Sequence, residues 1–251
     1  MMRRRRPALV VLALCADLTV AAAAASGSIQ AQPAQVAQAI QEELSKDRDL
    51  GRIQVSVDGT EATLSGPVPT LYAKRNAIRR ALRVTGVETV ASELELPQVD
   101  SDLSLAQQVA RVVERYSYYT IWDYLDGVIN RGVVTLTGSV TADRDKAKDI
   151  EEEVSRVRGV QEINNQIVTL PPSSGDNDLR QIIAYGLFTN ELFERFASHT
   201  NPPFHIVVHN SVVTLVGVVQ SDIEYREMER IVRQTDGVLR VHNKLETVMK
   251  R

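Results

Sequence analysis

The sequence predicts an α+β protein made of three tandem small two-layer units, each running helix-strand-strand-helix-strand with a three-stranded mixed sheet. The first observation behind this prediction is a heptapeptide that occurs as Thr60-Glu61-Ala62-Thr63-Leu64-Ser65-Gly66, Gly132-Val133-Val134-Thr135-Leu136-Thr137-Gly138 and Ser211-Val212-Val213-Thr214-Leu215-Val216-Gly217. The second is a Gly-Val pair after each copy, at Gly86-Val87, Gly159-Val160 and Gly237-Val238. Because the copies are 72 and 79 residues apart, each unit is long enough to have its own small core.

In the first unit, predicted over 34–96, the residue pattern changes period in the order that this fold requires. Apolar residues from Val36 to Leu44 have the spacing of one helix face, and apolar and polar residues then alternate from Ile53 to Val57 like a half-buried strand. Asp58-Gly59 is a hairpin turn signal, because the central positions of such a turn favour positive φ. A second strand, a helix that ends at Gly86 and a third strand complete the unit.

The same order is predicted for unit two over 102–170 and for unit three over 178–248, with a linker rich in proline and serine over 171–177. The hairpin pairs its strands antiparallel, and the strand-helix-strand step that follows places its two strands parallel. Each sheet is therefore predicted to be mixed. When the three units are aligned, their last strands match residue by residue. Ser92, Asn165 and Asn243 then occupy equivalent positions.

Residues 1–25 are predicted to be a signal peptide of the Sec type, followed by a disordered leader over 26–33. Four arginines, Arg3 to Arg6, precede a mostly apolar stretch that ends in small residues suited to cleavage, and Ala31 offers a second cleavage point. Such a signal predicts export to the periplasm or the outer cell envelope. An uncleaved N-terminal anchor is the alternative interpretation.

Cys15 is the chain's single cysteine, and it lies inside the predicted signal peptide. Lipoprotein anchoring at Cys15 is disfavoured because Leu14 precedes it, where a small residue is required. A chain cleaved after residue 25 contains no thiol and no disulfide. Cleavage there also removes four arginines and one aspartate, which shifts the formal net charge from −3 to −6. An acidic mature chain argues against general nucleic-acid binding.

The repeated elements resemble the BON family of bacterial envelope domains. The matching hallmarks are an apolar helix, a strand and turn leading into Val-Thr-Leu-x-Gly, a second helix, Gly-Val, and a strand of the form Val-x-Asn-x-Leu. Asn165 and Asn243 fit the last element, whereas Ser92 departs from it and Ala62-Thr63-Leu64 is a looser match. The first unit is thus the most diverged of the three copies.

The resemblance implies a non-enzymatic protein of the periplasm or cell envelope, without a cofactor, of a kind associated with stress response. Its implied partners are anionic phospholipid or envelope proteins. Peripheral association with membrane phospholipid or with an envelope assembly is the leading expectation. A periplasmic protein–protein scaffold with no direct lipid binding is the alternative.

Tyrosine and tryptophan are concentrated at the passage from the first helix to the first strand of unit two. Five of the eight such residues of the chain are Tyr116, Tyr118, Tyr119, Trp122 and Tyr124. These rings suit a membrane interface or a partner surface, since each combines an apolar body with a polar tip. Residues 121–125 are also typical of a strand, with Ile121, Asp123 and Leu125 on one side and Trp122 and Tyr124 on the other. One of these two rows would then pack on helices or on a neighbouring unit. A buried joint between units is a third use of the same rings.

The second helix of unit one carries Arg75, Arg79 and Arg83 at spacings of four, which places them in one stripe. Such a stripe could contact anionic lipid, or it could be an ordinary solvated helix face. The matching helix of unit two has charges of both signs over 143–153 and is predicted to be exposed.

The sequence predicts no catalytic, cofactor or metal site. His205 and His209 are two strand periods apart, but zinc requires three or four ligands and no third one is evident nearby. The sequence also lacks a glycine-rich phosphate loop and a nucleophile elbow, and no pattern places two carboxylates in an apolar cleft.

Overall fold

The computed structural model describes residues 32–98, 101–199 and 201–248. The predicted signal peptide, Cys15 and nearly all of the predicted leader lie outside these ranges. The described chain forms three modules of the predicted order, which are called modules 1, 2 and 3 below.

The elements of module 1 are α1 (Pro33–Ser45), β1 (Gln54–Asp58), β2 (Glu61–Pro67), α2 (Leu71–Ala81) and β3 (Thr89–Glu95). The elements of module 2 are α3 (Asp102–Glu114), β4 (Tyr124–Asn130), β5 (Val133–Thr141), α4 (Lys146–Ser155) and β6 (Glu162–Leu170). The elements of module 3 are α5 (Ser174–Phe188), a 3-10 turn (Glu194–Phe196), β7 (Phe204–His209), β8 (Val212–Val219), α6 (Asp222–Arg233) and β9 (Arg240–Thr247).

Each module has a three-stranded sheet whose middle strand carries the repeated heptapeptide. The hairpin strands pair antiparallel and the outer pair is parallel, so the predicted mixed sheets are confirmed. In each sheet the leucine of the heptapeptide lies opposite the same position of the last strand. The register pairs are Leu64 with Ser92, Leu136 with Asn165 and Leu215 with Asn243.

The last glycine of the heptapeptide is required by backbone geometry. Gly66, Gly138 and Gly217 have φ values of 115°, 117° and 105°, a region that residues with a side chain rarely adopt. A β-carbon on Gly138 would lie 2.1 Å from the Tyr124 carbonyl oxygen, because the first hairpin strand passes directly beside it. The glycine therefore permits the close approach with which each hairpin ends.

The asparagines of the last strands tie the sheet to the second helix. Asn165 donates from Nδ2 to the Ala147 carbonyl and to Glu151 Oε2, both at 3.0 Å, and its Oδ1 accepts from the Ile167 amide at 3.1 Å. Asn243 makes the matching bonds to Glu229 and to the Leu245 amide. Both halves of each amide are thus used locally, so these residues serve the fold.

Two predicted boundaries differ from the observed ones. Alternation starting at Ile121 predicted a strand there, but β4 begins at Tyr124 because the backbone turns first. The Asp123 amide donates to the Thr120 carbonyl at 3.0 Å, which closes that turn. Helix α5 begins at Ser174, inside the stretch expected to be a linker, because the Ser173 side chain accepts from the Asp176 amide and caps it.

Modules 1 and 2 dock through their second helices, α2 and α4. Leu71 of α2 is 7 % exposed and belongs to the core of module 2. Beside it, the Arg156 guanidinium stacks 3.5 Å from the centre of the Tyr72 ring, and Arg75 donates to Glu151 at 2.8 Å. The joint therefore combines apolar packing, to which Leu96 contributes by contacting the cores of both modules, with charged groups beside it.

Among the residues that the structure describes, no helix combines the length and the apolarity needed to cross a bilayer.

Candidate functional site

A short segment of module 2 completes the core of module 3. Residues 119–123, here called the bridging segment, place Ile121 at 8 % exposure among the buried residues of module 3, with Trp122 packed against the same cluster. The Ile121 carbonyl also accepts from the Ile206 amide of β7 at 2.7 Å. Two of the rings expected to contact lipid or a partner thus lie in or beside a joint between modules, since Tyr119 of the same segment is 5 % exposed.

Three rings from both modules meet at this joint. The His205 ring lies 5.1 Å from the Tyr119 ring and 6.1 Å from the Tyr124 ring, measured between centres. The Tyr119 hydroxyl accepts from the Leu125 amide at 3.2 Å, and burial raises the pKa of Tyr119 well above its usual value. Tyr119 and Trp122 therefore lie at the joint between modules 2 and 3.

An ion pair buried within module 2 holds the bridging segment in place. Asp123 and Lys146 are 0 % and 1 % exposed, and Lys146 Nζ lies 2.8 Å from Asp123 Oδ2. The Asp123 carboxylate also accepts from the amides of Thr120 and Thr141, at 2.9 and 2.7 Å. The expectation that the charged helix of module 2 is simply exposed is wrong for Lys146, whose position at the start of α4 aims it inward.

The buried ammonium has a full set of partners. Besides Asp123, Lys146 Nζ reaches Thr141 Oγ1 at 2.7 Å and Asp143 Oδ1 at 3.0 Å. Three protons thus face three oxygens, which is the condition under which a buried charge is tolerated. The arrangement can fix the bridging segment, but it shows no nucleophile or open position where a substrate atom would react.

We expect acid to loosen the joint between modules 2 and 3 through His205. Burial lowers the pKa of His205 below its usual value of 6.5. The backbone of Thr120 and the negative charge of Asp123 act in the opposite direction, but burial outweighs them. Between its lowered pKa and pH 6.5 the ring binds more protons in the unfolded chain than in the folded one. The free energy of unfolding therefore falls as the pH decreases through that window, by at most about 1.4 kcal/mol per pH unit.

Urea unfolding followed by Trp122 fluorescence at pH 7.5 and 5.5 measures this loss. The variant His205→Gln should show a smaller loss between the two pH values than the wild type. His242→Gln, a change at an exposed histidine of β9, is the matched control and should behave like the wild type. Equal pH dependence in the wild type and His205→Gln would rule out this role for His205.

The other three predicted aromatics have separate surroundings. The Tyr116 hydroxyl donates to Asp149 at 2.7 Å, and burial together with that carboxylate raises the pKa of Tyr116. Tyr118 is 49 % exposed and is covered on one face by the Arg144 guanidinium, 3.7 Å from the ring centre. Tyr124 is half-buried beside His205, so the five rings do not form one continuous surface.

The predicted arginine stripe is divided by the docking of modules 1 and 2. Arg75 is held at the joint by Glu151, whereas Arg79 and Arg83 are exposed, with the 45 % exposed Leu82 between them. The Arg79 guanidinium lies 5.8 Å from the Tyr72 ring, the ring on which Arg156 also stacks. The stripe therefore continues onto module 2, a continuation that the sequence did not predict.

On module 2 a shallow groove of about 400 Å³ between α3 and α4 carries more arginines than acids. Its charged lining residues are Arg111, Arg115, Glu153, Arg156 and Arg158. We call five exposed arginines beside the Tyr72 ring and in this groove the arginine belt, which consists of Arg79, Arg111, Arg115, Arg156 and Arg158. Among the described residues, Arg156 pairs with Glu152 at 2.7 Å, and no carboxylate lies within ion-pair distance of the other four.

Sequence reasoning missed the buried pair and most of the belt. The sequence did contain a signal that Asp123 is buried and paired. It stands between Ile121 and Leu125 in a row of apolar residues, and a carboxylate in such a row is costly to bury unless it has a partner. Arg111 and Arg115 are four residues apart on α3, which places them on one face. No local pattern indicates that Arg156, which lines the same groove, shares the Tyr72 ring with Arg79, since that contact depends on module docking.

Within the described ranges, no three histidine, cysteine or acidic side chains are grouped closely enough to hold a metal ion. His205 lies in the joint described above. His209 ends β7, four residues further along the strand.

Comparison with known proteins identifies a family model that matches three regions of the chain. The model of the BON domain matches residues 33–98, 121–171 and 190–249. No curated protein matches the chain. Two solved structures of CdsD, a structural protein of the type III secretion system of Chlamydia trachomatis, one of them its C-terminal domain, are 11% identical with a TM-score of 0.25. They cover 84% of this chain and 96% and 91% of their own.

Proposed function

This chain belongs to the BON domain family, and on that premise we propose that it is a non-enzymatic protein of the bacterial envelope that attaches peripherally to anionic phospholipid. The family is generally non-catalytic and associated with the envelope. The observation that carries the lipid part of the proposal is the arginine belt, which joins α2 of module 1 to α3 and α4 of module 2.

The chemistry of the arginine belt suits phosphate groups. A guanidinium presents paired donors that match phosphate oxygens, and four of the five arginines have no carboxylate in ion-pair range among the described residues. Each basic residue near an anionic membrane contributes about 1 kcal/mol. Leu82, exposed beside Arg79, adds an apolar side chain that can enter the headgroup region.

The acidic net charge of the rest of the protein makes this attachment directional. Long-range repulsion between an acidic protein and an anionic membrane is screened over roughly 8 Å at physiological ionic strength, whereas groups in contact are screened far less. The proposed attachment is therefore reversible, sensitive to salt and confined to the face that carries the belt.

Removing two charges from the belt is expected to weaken vesicle binding strongly. In co-sedimentation with phosphatidylglycerol vesicles at low salt, Arg111→Gln/Arg115→Gln should lower the partition coefficient roughly 30-fold, since about 2 kcal/mol of attraction is lost. Arg226→Gln/Arg240→Gln removes two exposed arginines of module 3 and is the matched control, expected to bind like the wild type.

Two outcomes would contradict the proposal. One is equal binding of the wild type to phosphatidylglycerol and to neutral phosphatidylcholine vesicles. The other is an equal loss of binding in the belt variant and in the module 3 control, because that would indicate a response to net charge alone.

An envelope scaffold that binds a protein partner is the second candidate, and an exposed apolar patch on module 3 favours it. Ile182 and Tyr185 of α5 are 50 % and 75 % exposed, and they border a groove of about 510 Å³ together with Ile231 of α6. Exposed tyrosine beside aliphatic residues is typical of protein interfaces. Failure of the wild type to bind either kind of vesicle would favour this candidate.

A further inference from the structure

A cavity of about 810 Å³ opens in module 2 beside the joint with module 3. Its volume lies within the range of about 300–1,000 Å³ found for small-molecule sites. Helix α3 forms one wall with Ala106, Val109 and Ala110, and the sheet forms the other with Leu136 among its residues. The apolar part of the cavity therefore lies between the two layers of module 2, and residues of module 3 line it as well.

The gap exists because module 2 lacks one core side chain that its two neighbours have. The residue opposite the heptapeptide leucine on the first hairpin strand is Val55 in module 1 and Ile206 in module 3, but Gly127 in module 2. Ile206 is fully buried and Val55 packs against the core of module 1. Gly127 instead lines the cavity.

Backbone geometry does not require this glycine. Gly127 is not among the residues with positive φ, in contrast to the heptapeptide glycines. A β-carbon at Gly127 would lie 3.7 Å from Leu136 Cδ2, an ordinary contact, and 3.3 Å from the Thr135 carbonyl oxygen, a tight contact that requires a shift of a few tenths of an ångström. Since a side chain is possible there, its absence leaves space that an apolar core would otherwise fill.

The cavity ends in polar groups contributed by both modules. Asn201 and His205 of module 3 line it, and Asn201 Oδ1 and His205 Nδ1 are buried without a hydrogen-bond partner among the described residues. Tyr119 and Tyr124 line the cavity as well, and their ring centres lie 5.1 and 6.1 Å from that of His205. Buried polar atoms normally have partners, so these two are available to a bound molecule.

The charged residues at the cavity have a single sign. Glu114 and Asp126, both exposed, are the charged residues among those that line it, and no lysine or arginine lines it. Tyrosine faces attract cations, and an amide oxygen accepts from an N–H group. An anionic head would meet two carboxylates without a counter-charge.

We propose that this cavity is a binding site for a small amphiphilic cation, with an apolar body between α3 and the sheet and an ammonium head among Tyr119, Tyr124 and the two carboxylates. The site is separate from the arginine belt, which has the opposite charge. Module 3 supplies Asn201 and His205, so the site is complete only when modules 2 and 3 are joined.

Three probes with the same alkyl chain and different heads test the proposal on residues 26–251 by isothermal titration below their micellar concentrations. Decylammonium should bind saturably with one equivalent, and at least tenfold more tightly than decanol or decanoate. Gly127→Val restores the side chain that module 1 carries and should weaken decylammonium binding at least tenfold while leaving the thermal midpoint equal or higher. Ala110→Leu fills the cavity from the opposite wall and should act likewise.

Glu114→Gln/Asp126→Asn tests the charge without filling the cavity, and it should reduce the preference for decylammonium over decanol. The belt variant Arg111→Gln/Arg115→Gln should bind decylammonium like the wild type, so this site and the proposed membrane attachment can fail independently. The proposal is overturned if no probe binds saturably, if decanoate binds as tightly as decylammonium, or if both filling variants bind decylammonium unchanged.

Discussion

Replacing Lys146 by methionine is expected to destabilise the protein by about 3–5 kcal/mol, because it leaves the Asp123 carboxylate buried without its counter-charge. Asp123 is 0 % exposed, so water cannot replace the lost ammonium. Urea unfolding followed by the fluorescence of Trp122, the chain's single tryptophan and the neighbour of Asp123, measures the loss. Lys148→Met makes the same chemical change at an exposed position of α4 and should leave the urea midpoint nearly unchanged.

Removing both charges is expected to cost less than the sum of the two single changes. In Asp123→Leu/Lys146→Met no unpaired charge stays buried, although the amides of Thr120 and Thr141 lose their acceptor. Additive losses would show that the two side chains act independently. A loss below about 1 kcal/mol for Lys146→Met would show that the pair does not fix the bridging segment.

Substituting alanine for the last glycine of the heptapeptide is expected to destabilise the three modules unequally. Gly138→Ala should cost about 3 kcal/mol or more, because a strained φ of 117° is combined with a β-carbon 2.1 Å from a backbone oxygen. At Gly217 the corresponding distance to the Pro203 carbonyl oxygen is 2.4 Å, and at Gly66 the distance to the Arg52 carbonyl oxygen is 3.3 Å. The expected order of loss is therefore Gly138, Gly217 and then Gly66, the last costing about 1–2 kcal/mol.

Far-UV circular dichroism during urea unfolding measures these losses. Gly51→Ala is the control, since a β-carbon there meets no atom within 4 Å and φ is not positive. It should change stability by no more than about 0.5 kcal/mol. An equal effect at Gly66 and Gly138 would contradict the view that the close approach of the first strand sets the cost.

The fold was predictable because its signals are local and repeated. The heptapeptide glycines are required by their own backbone angles, and the leucine two residues earlier faces the core in every copy. Such constraints act within one module, so they recur at matching positions. The start of β4 was less predictable, because the turn before it depends on Asp123 and its distant partner Lys146.

The candidate sites were less predictable because they depend on how the modules meet. Lys146 stands in a run of charged residues that is typical of an exposed helix, and its burial follows from Asp123, which is 23 residues earlier. The arginine belt combines Arg79 with arginines of module 2 through the stacking on Tyr72. Gly127 was visible in the sequence, but its significance requires the strand register that aligns it with Val55 and Ile206.

Hydrogen–deuterium exchange of residues 26–251, with and without phosphatidylglycerol vesicles, tests most directly whether the arginine belt is the membrane contact. We expect exchange to slow at the C-terminal end of α2, at residues 108–116 and at residues 156–160, and to stay unchanged in α5 and α6. Protection confined to α5 around Ile182 and Tyr185, or no protection in the belt segments while the protein is bound, would contradict the account.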